Sequence, residues 1–180
     1  MAHNNNVNEL FFTGQGDPRH KCVAIGYHNN APVVYKFDTV DLPQGTRTTV
    51  TFNEHIEVAF LDWAVGVHLG SVLRDTDRTP MADFVSHGTT NTARQFRSST
   101  DGNELFEWRR LGNRQPYAYE LMSLSSETTA RIATYDPTPR EVPKVGRAYA
   151  YLKYTFQEEP LLRDALVALC LNRWIDWRGM

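Results

Sequence analysis

The chain has 180 residues, 41% of them hydrophobic and 22% charged, with a formal net charge of −2. That length suits one domain able to bury its own core without a disulfide or metal staple. A balance so close to neutral excludes a whole-molecule field that draws the protein to nucleic acid, so an anionic partner would have to meet a local basic patch.

Residues 1–8, MAHNNNVN, are polar and are expected to form a disordered extension ahead of a single domain over 9–180. No basic stretch leads into a long apolar core there, so the opening does not read as a secretory signal. The chain contains no Asn-x-Ser/Thr acceptor, and Cys22 and Cys170 are expected as free thiols. These features set the expectation of a cytoplasmic protein, peripheral to a membrane at most.

Short apolar runs then alternate with turn chemistry. ELFFTG, CVAIGYH, VVYKFDTV, TRTTVTF and EHIEVAFLDWAV are rich in β-branched and aromatic residues and are separated by Gly, Pro, Asn and Asp. Between Ser71 and Phe96 the pattern weakens, and the reading there is a short helix or turn near Met81 to Val85. Asp101-Gly102 reads as a tight turn before two strands joined by GNRQP. ARIATYD is a further strand, stopped by PTPREVPKVG, whose prolines oppose both ladder and helix. In AYAYLKYTF, Ala148, Ala150, Leu152, Tyr154 and Phe156 share one face.

The last element, PLLRDALVALCLNRW, is different. Pro160 suits a first helical position, and every residue from Ala165 to Leu171 is apolar. Charges bracket this run at Arg163, Asp164, Arg173 and Asp176. A helix bare on all sides must be surrounded by protein, and here the available surround is a curved sheet. The fold expected is therefore mainly β: a closed antiparallel β-barrel wrapped around a hydrophobic C-terminal α-helix over about 160–176. The run is too short to cross a bilayer, so no transmembrane segment is expected.

The order of VVYKFDTVDLPQGTRTTVTF, IEVAFLDW, GNELFEWRRLG, ARIATYD and an apolar end resembles a fungal domain family of unknown function from mushroom-forming species. Leu61-Asp62-Trp63, Asp101-Gly102 through Trp108, and Ile132-Ala133-Thr134-Tyr135 carry the resemblance over roughly residues 10–175. Phe106 stands where an aromatic residue precedes the tryptophan. That family is similar to the tubby C-terminal-like and scramblase-like barrels, in which a sheet wraps a C-terminal helix. The resemblance implies the same architecture and transfers no reaction. Tubby-like relatives bind phosphoinositides, but no matching motif maps onto this chain.

The chemistry is sparse. His3, His20, His28, His55, His68 and His87 lack metal-ligand spacing, so no metal and no cofactor is expected. Asp75 and Asp77, between Arg74 and Arg78, read as a solvated turn neutralised by those arginines. Ser86 beside His87 is no nucleophile elbow, and the Gly-x-Gly at Gly14 and Gly16 lacks its third glycine. Arg109, Arg110 and Arg114, with Lys144, Arg147 and Lys153, are candidates for an anion-binding patch that takes phospholipid headgroups. The competing reading pairs these arginines with Glu104, Glu107 or Glu120. A helix inside a barrel leaves no lumen for substrate, which favours a non-catalytic module binding anionic headgroups or a small hydrophobic molecule. The alternative is a small enzyme of fungal secondary metabolism whose acid/base, at a barrel mouth, is His68, His87, Asp62 or Glu107. A homo-oligomer joined through exposed aromatics is the third expectation.

Overall fold

In the computed structural model the described residues are 7–53, 55–66, 68–100, 104–125 and 129–180. The expected Asp101-Gly102 turn lies outside them. The strands are β1 Asn8–Phe12, β2 Cys22–His28, β3 Ala31–Leu42, β4 Gly45–Phe52, β5 Ile56–Trp63, β6 Gly70–Arg74 and β7 Asp77–Pro80. After the short helix α1, Met81–Phe84, come β8 Ser86–His87, β9 Ala93–Arg97, β10 Leu105–Leu111, β11 Ala118–Leu124 and β12 Thr129–Asp136. β13 Arg140–Val142, β14 Gly146–Ala148, β15 Ala150–Tyr154 and the long helix α2, Glu159–Arg178, complete the chain.

Thirteen strands form one antiparallel sheet, in the order β7-β6-β5-β4-β3-β2-β1-β15-β12-β11-β10-β9-β8. The first seven strands are successive hairpins, as are β8 to β12. β15 lies between β1 and β12 and joins the two meanders, pairing Leu10 with Leu152 on one side and Tyr135 with Leu152 on the other. Among the described residues no ladder joins β7 to β8, so the sheet is open at that seam. α1 follows β7 directly and packs against β6, β7 and β9. Met81, Phe84 and Val85 turn inward there and are buried.

Alternation puts one row of each strand on the inside. Ala150, Leu152 and Tyr154 of β15 are buried while Lys153 is exposed, as the sequence period predicts. Tyr35, Trp108, Tyr119, Tyr154 and Phe96 supply the bulk of the inner wall. Facing them, every residue of α2 from Ala165 to Leu171 is at most 4% exposed. Pro160 sits in the first turn, and Gly179 (φ 67°) ends the helix in the left-handed region, where glycine lacks the Cβ clash.

Polar anchors hold α2 to the sheet at both ends. The Asp164 carboxylate takes the Arg74 guanidinium at 2.9 Å and the Ser99 N–H at 2.7 Å. Asp176 accepts from the Tyr119 hydroxyl at 2.7 Å and pairs with Arg94 at 3.3 Å and Arg110 at 3.4 Å. In between, the Trp108 indole donates to the Ala165 carbonyl at 3.0 Å. β6 and β9 flank the seam, and both send side chains to the same helix. The sheet therefore curves around it.

Three details differ from the sequence reading. Arg74 and Arg78 do not neutralise Asp75 and Asp77; they pair with Asp164 on α2 and with Asp62 on β5, both far less exposed than Asp75. The proline-rich PTPREVPKVG segment is not strand-free: Arg140–Val142 and Gly146–Ala148 pair as a separate hairpin, with Pro139 and Pro143 kept just outside the ladder. The seam region also supplies β6, β7 and β9, whose outward charges hide the inward Val72 and Phe96.

Leu166 is 2% exposed in the middle of the bare run. Leu166→Asp places an unpaired charge there and is expected to cost more than about 4 kcal/mol, leaving no soluble folded protein. Expression with circular dichroism checks this, and a variant melting with the parent contradicts it.

Candidate functional site at the helix C-terminal pole

The four acid/base candidates do not meet. Asp62, on the outer face of β5, is bound by Arg47 through two hydrogen bonds and by Arg78 at 2.7 Å. The Arg47 bond holds its carboxyl below the ordinary range, outweighing partial burial. His87 is exposed on the two-residue edge strand β8. His68 is exposed in the β5–β6 loop, where it lines a cleft of about 240 Å³ with Trp63, Trp174 and Arg178.

Glu107 is a closed site. Its neighbours Phe106 and Trp108 point to the core, so period two turns Glu107 to the outer face, under the loop after β8. It accepts from the Thr89 N–H at 2.6 Å, the Thr89 hydroxyl at 2.7 Å, Gln95 at 3.0 Å and Arg109 at 2.6 Å. Burial pushes this carboxyl up, but the Thr89, Arg109 and Gln95 donors together hold it below the ordinary range. With its lone pairs filled, it is an anchor for the loop rather than a base facing substrate.

The basic cluster is divided by the same alternation. Arg109 points outward and is used by Glu107. Arg110 points inward to Asp176 and lies over the Tyr117 ring at 4.3 Å. Arg114 is exposed in the following turn. Arg147 pairs with Glu141 on the small hairpin, where Lys144 is exposed, and Lys153 approaches Glu9 at 3.9 Å.

What the structure brings together lies at the C-terminal end of α2. A cleft of about 420 Å³ opens there, walled by Pro116, Tyr135, Pro137, Pro139, Tyr149 and Trp177, with Arg173 in its lining. A smaller recess of about 90 Å³ shares Gly16, Gln115, Pro116, Arg173 and Trp177 with it. Arg173 lies 5.0 Å from the Tyr135 ring. Burial pushes the Tyr135 hydroxyl up to about 12, with Arg173 pulling the other way. Burial also raises the Cys22 thiol, again against the pull of Arg173. In the sequence Arg173 reads as an ordinary helix-end charge. What marks it is its spacing of three from the buried Cys170, which turns it inward.

His28 is a second residue the sequence does not single out. It is buried at the opposite pole, 3.1 Å from the Tyr154 hydroxyl and 2.9 Å from the Gln157 carbonyl. No group of His, Cys, Asp or Glu suited to a metal ion occurs among the described residues. Among the described residues no helix is long and apolar enough to cross a membrane. No family model matches the chain, and neither a curated protein nor a solved structure matches it significantly.

Glu107 yields a pH test. Its folded carboxyl titrates below its unfolded one, so its stabilisation is present above the unfolded value near 4.5 and is lost as pH falls through the folded value. Glu107→Gln is expected to cost roughly 1–3 kcal/mol at neutral pH. The gap from the parent should close in acid, below the folded carboxyl's titration. Urea melts at both pH values measure it, and a gap independent of pH contradicts the anchor role.

Proposed function

We propose that the protein is a non-catalytic binding module that docks onto anionic lipid surfaces with the pole where α2 ends. The observation supporting this is the set of apolar side chains exposed on that rim. Val40 and Leu42 precede the β3–β4 turn, Val65 follows β5, Leu111 ends β10, and Trp177 and Met180 close the chain. All are exposed, Val65 by 76% and Trp177 by 52%.

Pairing gathers these positions. Leu42 faces Gly45, and Thr46 faces Trp63, whose ring packs on Trp174 of α2. Leu111 follows Arg110, which meets Asp176 near the end of the same helix. Single exposed apolar residues are ordinary, but several on one rim support contact with another surface. Lys21, Arg114 and Arg178 are exposed on this rim with no carboxylate partner among the described residues, against an exposed Asp41.

Tryptophan and short apolar tips suit the boundary between headgroups and acyl chains, and flanking cations suit anionic lipid. Of the basic cluster read from sequence, Arg114 belongs to this surface, while Arg109 and Arg110 are engaged by Glu107 and Asp176. With this reading we pair a tubby-like barrel of fungal type as the fold, supported by a helix buried on all sides and by α1 spanning the seam.

Sedimentation with phosphatidylserine-rich vesicles tests the proposal. The parent should co-sediment, less so at high salt and hardly at all with pure phosphatidylcholine. Arg114→Glu/Arg178→Glu should weaken binding roughly tenfold or more, since each cation near the surface contributes about 1 kcal/mol. Trp177→Ser should weaken it through lost insertion. A parent that stays in the supernatant, or variants that sediment like it, overturns the docking.

A further inference from the structure

The geometry points to a second site at this pole: the cleft beside Arg173 binds a small monocarboxylate with a flat, apolar body. Arginine pairing sets this cleft apart. Arg19 pairs with Asp17, Arg74 with Asp164, and Arg94 and Arg110 with Asp176. Arg173 has no ion pair among the described residues, although it too lies inward. Its neighbours are the Tyr135 and Tyr119 hydroxyls and the Cys170 and Cys22 thiols, the last a hydrogen-bond partner; burial pushes all four up, which keeps them neutral at ordinary pH.

The acids around the cleft are already engaged. Asp17 holds Arg19 at 2.9 Å. Asp136 accepts from the Tyr151 hydroxyl at 2.7 Å and the Thr138 N–H at 2.9 Å. Asp176 accepts from Tyr119 at 2.7 Å and faces two arginines. Among the described residues, neither the 420 Å³ cleft nor the recess that shares Arg173 has Asp or Glu in its lining. The cleft thus carries one positive charge and no answering negative one.

A guanidinium offers two parallel N–H donors, which match a carboxylate in bidentate form. The walls define the rest of the ligand. Proline and aromatic faces pack flat rings, and a volume of about 420 Å³ is in the range of small-molecule sites. Single charge favours carboxylate over phosphate monoester: the latter carries about −1.5 to −2 at neutral pH, which one arginine does not balance in an apolar cleft. Arg173 is therefore the charge-recognising residue and the walls select an aromatic or alicyclic body. This inference does not depend on the exposed rim, and its test uses no membrane.

The probes are 2-naphthoate, its neutral isostere 2-naphthamide, and 2-naphthyl phosphate, titrated by calorimetry against the full chain, with Trp177 indole NMR shifts locating the contact. Naphthoate should bind about tenfold or more tighter than the amide, the range for a hydrogen-bonded charge, and tighter than the phosphate. Arg173→Met should bring acid and amide to equal affinity. Tyr149→Ala, at a half-buried wall position, should weaken acid and amide alike while keeping their ratio. If Arg173→Met does not fold, the acid-to-amide ratio of the parent and its survival in Tyr149→Ala decide the matter. No binding of naphthoate, equal binding of acid and amide, tighter binding of the phosphate, or an unmoved Trp177 signal each overturns the assignment.

Discussion

A helix without a polar stripe turns or slides inside an apolar jacket at little cost, because burial and dispersion have no preferred direction. Two buried carboxylates on α2 remove that freedom. Asp164 and Asp176 are twelve positions apart, roughly 18 Å along the axis at the usual helical rise. Each takes an arginine from the sheet. They fix both the rotation and the axial position of the helix, and they clamp strands from either side of the open seam onto it. Buried ion pairs are weak evidence for net stability, but loss of one partner is severe. Their role here is register: with α2 held, Trp108 reaches the Ala165 carbonyl, and Arg173 faces its cleft rather than another wall.

The same constraint accounts for where function can sit. The interior is filled by the helix, and the carboxylates Asp62 and Glu107 on the outer face are satisfied by their neighbours. Asp62 is held by two arginines, and Glu107 is closed in by hydroxyl, amide and guanidinium donors. One group of exposed side chains and a cleft lie where helix and sheet end together. Turn residues there cannot all match the helix surface, and several apolar tips, the Arg173 guanidinium and the 420 Å³ cleft lie around that pole.

Much of the architecture was legible from one-dimensional patterns. The bare run from Ala165 to Leu171 implied a surrounding sheet, and the alternation from Ala148 to Phe156 gave the inner face of β15. Local patterns failed where the partner was distant. Arg74 lies next to Asp75 in sequence yet binds Asp164, 90 positions away. Arg109 and Arg110 look like one cluster but point to opposite faces, because adjacent strand residues must. The special status of Arg173 depends on carboxylates that turn elsewhere, which no spacing in the sequence records.

The slot filled by β15 has a consequence for biosynthesis. As the chain leaves the ribosome, β1 to β7 and later β8 to β12 can pair locally as meanders, each with an apolar inner face. Neither has its central neighbour until Ala150–Tyr154 emerges, and the helix that fills the interior follows later still. Folding therefore depends on contacts that span most of the chain, the kind that make assembly slow and leave nascent surfaces sticky. The native state can form only after α2 has been synthesised, and the half-made sheet is a natural client for chaperones until then.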